Sequence, residues 1–271
     1  MERLYRVSRA GEVFFAVEQD GVLRRAQPAG VSIYDGFEAG PAVDGGLTAV
    51  TIHAPVRPSK IVCVGLNYKD HAAEMKKVIP PEPMLFLKPP STLLDPGEAI
   101  LIPPGVGAVH YESELALVIS RRAHRVSAAN AWDYILGVTC LNDVTARDIQ
   151  NKETQYTRAK GFDTFAPFGP CIEIGGSRGP RVIEGFVNGE RRQHSSTANL
   201  IFSIEFLVEY ITFVMTLEPG DIISTGTPSG VGPIVAGDTV TVRVEGVGDL
   251  SNPVRAEHAH GDAVREPQVS N

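Results

Sequence analysis

Short apolar runs of four to eight residues, separated by turn residues, dominate this chain. Runs of that length bounded by Gly, Pro, Asn or Asp predict strands. In the first 54 residues, Val13-Phe14-Phe15-Ala16-Val17 and Gly21-Val22-Leu23-Arg24 predict a hairpin turning at Asp20-Gly21. Pro55 and Pro58 then interrupt the pattern, and proline removes a ladder donor. A boundary is placed there. It divides a small N-terminal β-rich module (1–56) from a large domain (57–255), followed by a polar, flexible tail (256–271). Strands are predicted over 61–65, 85–88, 99–102, 112–120, 135–142, 168–174, 181–187, 221–225 and 238–244.

Helical signals are fewer. Ser127–Tyr134 opens with a capping serine and an Ala-rich turn, and Thr145–Gln150 reads as a short helix. Ser203–Met215 is the clearest, with Ser203 as N-cap and Glu205 in the first turn. Its apolar residues run almost all round, which predicts a buried helix. Many strands and few helices predict an α+β, mostly β fold: a sandwiched or rolled sheet with peripheral helices.

Composition narrows the function. The 271 residues are 43% hydrophobic and 21% charged, enough to bury a core without disulfides. The 25 basic and 32 acidic side chains leave a net charge of −7. An acidic chain without a basic run is a poor partner for nucleic acid. No apolar run approaches a membrane span, and Met1–Arg6 lacks the apolar stretch of a secretory signal. A cytoplasmic protein is expected, with Cys63, Cys140 and Cys171 reduced and buried.

Four segments carry candidate chemistry. In His110-Tyr111-Glu112-Ser113-Glu114-Leu115-Ala116-Leu117-Val118-Ile119, strand alternation puts Glu112 and Glu114 on one face. Asp143 ends the next buried-looking strand. Three carboxylates brought together would make a hard-oxygen site for Mg²⁺, Mn²⁺ or Ca²⁺. On spacing alone, a solvated acidic face is an equal reading. His71 and Glu74 stand at i and i+3 after a strand ending at Gly65, so a helical turn would let the carboxylate orient the imidazole as a general base. An isolated pair of this kind is more often an incidental surface contact. Arg147 and Gln150 follow Asp143 closely and suit a substrate carboxylate or carbonyl, or else a surface salt bridge. Lys160 could stabilise an oxyanion. The run Ser224-Thr225-Gly226-Thr227-Pro228-Ser229-Gly230 offers backbone amides to an anion. It lacks the Gly-Lys-Ser/Thr ending of a P-loop, and no nucleophile elbow, zinc-protease helix or dinucleotide fingerprint is present.

Taken in order, these segments resemble the fumarylacetoacetate hydrolase family, its short acylpyruvase and oxaloacetate decarboxylase branch in particular. The pieces are VGLNYKDHAAE, EPMLFLKP, HYESELALVI, LNDVTARDIQ, the Lys of RAKGFD, FSIEFLVEYI and GDIISTGTPSGVGP. The resemblance spans about Ser59 to Val254. It implies a mixed β-roll core with one Mg²⁺ or Mn²⁺ per subunit, held by Glu112, Glu114 and Asp143. It implies a His71–Glu74 catalytic dyad on a segment that closes as a lid, and an active-site Lys160. Substrate contacts would come from Arg147, Gln150 and Thr227, in a homodimer. The implied activity is hydrolysis of a C–C bond in a β-diketo acid such as an acylpyruvate, by way of an enolate. The alternatives are oxaloacetate decarboxylation, and isomerisation or decarboxylation of 2-hydroxyhepta-2,4-diene-1,7-dioate in aromatic catabolism. A third reading is a metal-binding module that has lost catalysis; His71, Glu74 and Lys160 argue against it.

Overall fold

Asp20 and Gly21 both adopt positive φ, 51° and 76°, as a type I′ turn requires. They join strands Glu12–Gln19 and Val22–Pro28 with Gln19 opposite Val22, the hairpin expected from the sequence. The structure is a computed structural model that describes residues 2–175 and 178–257. The predicted tail lies outside the described residues except for Ala256 and Glu257.

The main sheet runs in the order Phe37–Ala42, Val22–Pro28, Glu12–Gln19, Glu2–Arg9, Ala166–Ile174, Ile135–Asn142, Ser113–Ile119, Ile222–Ser224, Ile61–Gly65, Met84–Lys88. Along this path only Ile222–Ser224 and Ile61–Gly65 are parallel. The N-terminal strands thus continue the same sheet as Ala166–Ile174, through Leu4 opposite Ile172. A side-chain relay ties the same strands to the body. His53 Nε2 lies 2.8 Å from Ser8 Oγ, and Nδ1 lies 2.7 Å from Asp95 Oδ2. Asp95 Oδ1 accepts the Ala54 amide at 2.8 Å.

Strand Ser113–Ile119 is buried on both faces. Leu115, Leu117 and Ile119 enter one core with Val242, Val244 and Leu250. Those three belong to a five-stranded sheet ordered Glu190–Ser196, Val182–Val187, Thr239–Val244, Gly248–Ala256, Ile100–Ile102. Ala116 and Val118 enter a second core with Phe168 and Ile172. A small third sheet pairs Thr145–Ala146, Val109–Tyr111 and Gly232–Ile234. The fold is therefore α+β and mostly β, as expected. All three cysteines are free and buried.

The helices are α1 (Lys69–Glu74), α2 (Arg147–Lys152), α3 (Thr157–Lys160) and α4 (Ile204–Val214). Three expectations are corrected. First, α4 is capped by Ser203 as predicted, but only the stripe containing Leu207, Val208 and Ile211 is buried. Phe206, Phe213 and Val214 are exposed, because apolar residues on two faces outnumber the contacts one core can offer. Second, residues 128–134 form a 3₁₀ helix, in which Ser127 makes no side-chain cap bond. Third, α2 begins at Arg147 because Thr145 and Ala146 are spent pairing with His110 and Val109.

Candidate active site

Glu112 lies between two strands. Val109–Tyr111 belongs to the small sheet and Ser113–Ile119 to the main one. The single strand predicted over 112–120 therefore starts one residue later. Asp143 has the equivalent place between Ile135–Asn142 and Thr145–Ala146. The two chains cross side by side: the Asp143 amide donates to Glu112 O at 2.9 Å, and the Glu112 amide to Asn142 Oδ1 at 3.0 Å. This crossing brings Glu112, Glu114 and Asp143 together, all buried, with one carboxylate oxygen of each inside a 4.8 Å radius of the others.

Cations surround the trio unequally. Lys160 Nζ donates to Glu112 Oε2 at 2.8 Å and also to Asp143 Oδ2. Arg147 Nη2 donates to Glu112 Oε1 at 2.5 Å, and its Nη1 to Gln150 Oε1. Lys88 Nζ donates to Asp143 Oδ1 at 2.7 Å. Glu114 receives neutral donors instead: Ser224 Oγ at 2.5 Å and the Gly226 amide at 2.9 Å, both on Oε2. Among the described residues no hydrogen bond reaches its Oε1. The electrostatics follow. Burial would raise the Glu112 carboxyl, but Lys160 and then Arg147 outweigh it and hold the group well below the usual carboxylate range. Burial raises Glu114, and the neighbouring Asp143 charge raises it further. Burial alone would lower the Lys160 ammonium, yet Asp143, Glu112 and Glu114 together raise it.

Helix α1 carries the dyad. His71 Nδ1 lies 3.1 Å from Glu74 Oε2, and the Gly230 amide donates to both Glu74 oxygens, at 3.1 and 3.2 Å. That contact demands the loop after Ser224. Gly230 has φ +93°, and a Cβ there would meet Arg192 O at 2.1 Å; only glycine fits. Thr227 Oγ1 donates to Ser113 O at 2.9 Å and accepts from Gln193 Nε2 at 2.8 Å, so its hydroxyl also anchors this loop.

One cleft of about 560 Å³ is lined by all nine residues singled out in the sequence: Glu112, Glu114, Asp143, His71, Glu74, Lys160, Arg147, Gln150 and Thr227. Sequence reasoning missed Lys88, Ser224 and His110. His110 lines the cleft, and its Nδ1 is buried without a hydrogen-bond partner among the described residues. Burial, and then Arg147, lower its pKa and favour the neutral ring. The strand running into Gly226 held a signal for Ser224, whereas the unbroken apolar run Met84-Leu85-Phe86-Leu87 before Lys88 held none for the lysine. Residues 75–83, which follow the dyad on the segment that the resemblance expects to close as a lid, run past this cleft, with Met75 and Lys77 lining it and Val78 exposed.

Three buried carboxylates with a free oxygen on Glu114 suit a hard divalent cation. With the mostly β fold, this cleft marks the candidate active site. Residues 60–255 match the family model described as fumarylacetoacetate (FAA) hydrolase C-terminal, and the chain belongs to that family. It is 42% identical over 223 residues to oxaloacetate tautomerase YisK of Bacillus subtilis, covering 77% of this chain and 74% of that one. The structure of 5-carboxymethyl-2-hydroxymuconate delta-isomerase from Mycobacterium smegmatis superposes with TM-score 0.85 at 44% identity, over 95% of this chain and 100% of that one. Maleylpyruvate hydrolase from Sphingobium sp. SYK-6, solved with manganese(II) and pyruvate, superposes with TM-score 0.75 at 28% identity, over 94% and 100%. No helix among the described residues is long and apolar enough to cross a membrane.

Proposed function

We propose that this protein hydrolyses a C–C bond in a β-diketo acid such as an acylpyruvate, with a divalent metal. The observation that supports this reading is the convergence of the carboxylate trio and the His71–Glu74 pair on one cleft. Glu112, Glu114 and Asp143 would hold Mg²⁺ or Mn²⁺, one per subunit. Bound there, the ion supplies Lewis acidity toward the carboxylate and keto oxygens of a 2-oxo acid.

The chain's own groups do the rest. Glu74 holds His71 through Nδ1, which leaves Nε2 to take a proton from water. The resulting hydroxide attacks the distal carbonyl carbon. The C–C bond then breaks and its electron pair departs into the pyruvate half as an enolate, beside the Lys160 ammonium. The proton held by His71 returns to the enolate carbon to give pyruvate. Arg147 and Gln150 orient the substrate, and Thr227 shapes the wall against it. We extend the reading to a cytoplasmic homodimer that binds neither nucleic acid nor membrane.

A second reading is supported by the relatives named tautomerase and isomerase at 42% and 44% identity. The same site would then decarboxylate oxaloacetate, or isomerise or decarboxylate 2-hydroxyhepta-2,4-diene-1,7-dioate, with His71 moving a proton and no water attacking. Assays of acylpyruvates, oxaloacetate and the dienedioate, with Mg²⁺, Mn²⁺ or chelator, decide between them. The expected result is metal-dependent release of pyruvate and a carboxylic acid from an acylpyruvate, faster than any turnover of the other two. Turnover confined to oxaloacetate or the dienedioate would replace hydrolysis by the second reading.

A further inference from the structure

We propose that Lys88 is a positioning residue for the metal site: from behind the cleft, its ammonium fixes the Asp143 carboxylate in the orientation that holds the ion. This rests on the reading that Glu112, Glu114 and Asp143 bind a divalent cation.

Lys88 ends the edge strand Met84–Lys88, opposite Ile61. Its side chain is 0% exposed, and it is absent from the cleft lining that includes Asp143. It therefore touches neither solvent nor anything bound in the cleft. A lysine removed from water costs several kcal/mol unless it is fully paired. Here Nζ donates to Asp143 Oδ1 at 2.7 Å and to Val144 O at 3.1 Å. The surrounding main chain is fixed as well. Thr145 Oγ1 donates to Asp143 O at 2.9 Å, and the Val144 amide to Phe165 O at 3.1 Å. With Oδ1 committed to Lys88, Asp143 meets the cleft-lining Lys160 through Oδ2, so Oδ2 is the oxygen left for a cation. Buried groups behind a metal ligand set both its orientation and its affinity.

A merely structural role predicts something else: lower stability with an unaltered site. The test uses the full chain, stripped with chelator and titrated with Mn²⁺ alone. Calorimetry reads Kd, and electron paramagnetic resonance of the bound ion reads its ligand environment. Lys88→Met should bind Mn²⁺ roughly 10–100-fold more weakly, the range for such outer groups, with a changed line shape. Lys88→Arg should recover part of the affinity. Lys88→Gln is measured in parallel, with the same expectation as Met, so a Met variant that fails to fold does not end the test. Lys60→Met is the control. Lys60 adjoins the neighbouring strand and binds Asp221 Oδ2 at 2.5 Å, so this variant should melt lower yet keep the wild-type Kd. Wild-type Kd and line shape in the Lys88 variants would overturn the proposal, as would an equal loss of affinity in Lys60→Met. If wild-type protein itself fails to bind Mn²⁺, the metal reading falls, an outcome distinct from wild-type binding that the Lys88 variants leave unchanged.

Discussion

Glu112 and Glu114 stand two residues apart and are driven in opposite directions, because their partners differ in charge. Glu112 faces two cations, whereas Glu114 faces a hydroxyl and an amide. The dyad is separate from this balance, since His71 contacts Glu74 and none of the three carboxylates. His71→Asn should therefore lower turnover roughly 10²–10⁴-fold, the usual range for a lost general base. The rise in melting temperature on adding metal should persist, and thermal melts beside steady-state assays check both. Retained turnover would remove His71 from the mechanism. The nine residues singled out were legible in the sequence because each lies in a short motif, and the motifs stand in order. Lys88 was not legible as a partner. A strand-ending lysine looks exposed in sequence, and its burial depends on Asp143, 55 positions away.

Asp221 shows how one residue can set an element pair. Its side chain is fully buried. It accepts the Ser59 amide at 2.9 Å, Ser59 Oγ at 2.7 Å, the Lys60 amide at 3.1 Å, Lys60 Nζ at 2.5 Å and the Glu218 amide at 2.8 Å. These bonds pin the start of the parallel pair Ile222–Ser224 and Ile61–Gly65. Burial raises this carboxyl, but the Glu218 amide, Lys60 and Ser59 together bring it below the ordinary value. The folded state thus favours the charged form. Its contribution is complete above the unfolded pKa, about 3.9, and is lost as pH falls through the lower folded value. Asp221→Asn should cost about 3 kcal/mol at pH 7, with the gap to wild type narrowing below about pH 4. Urea melts across that range check this; a constant gap would show that charge is not the cause. At this scale the sequence revealed strands and the α4 cap through their run lengths and Ser203. It could not reveal that Glu112 sits between strands of two sheets, because that break has no composition of its own.

Across the whole molecule, the mostly β class was legible from short runs and turn residues, but the order of strands was not. Glu2–Arg9 pairs with Ala166–Ile174, and no local pattern specifies a partner so distant in the chain. The same holds for the crossing that joins Glu112 to Asp143. The central claim, that this crossing builds a divalent-metal site, is tested most directly by thermal melts of wild type and Glu114→Gln, each with chelator and with saturating Mn²⁺. Burial beside Asp143 already favours the neutral form of Glu114, and glutamine keeps an oxygen for Ser224 and Gly226. In chelator, the variant should therefore melt no lower than wild type. Metal that binds only the folded trio stabilises it by mass action, so wild type should melt clearly higher with Mn²⁺. The variant, lacking one charged ligand, should lose most of that gain. Equal metal-induced shifts in the two proteins, or no shift in wild type, would contradict the assignment.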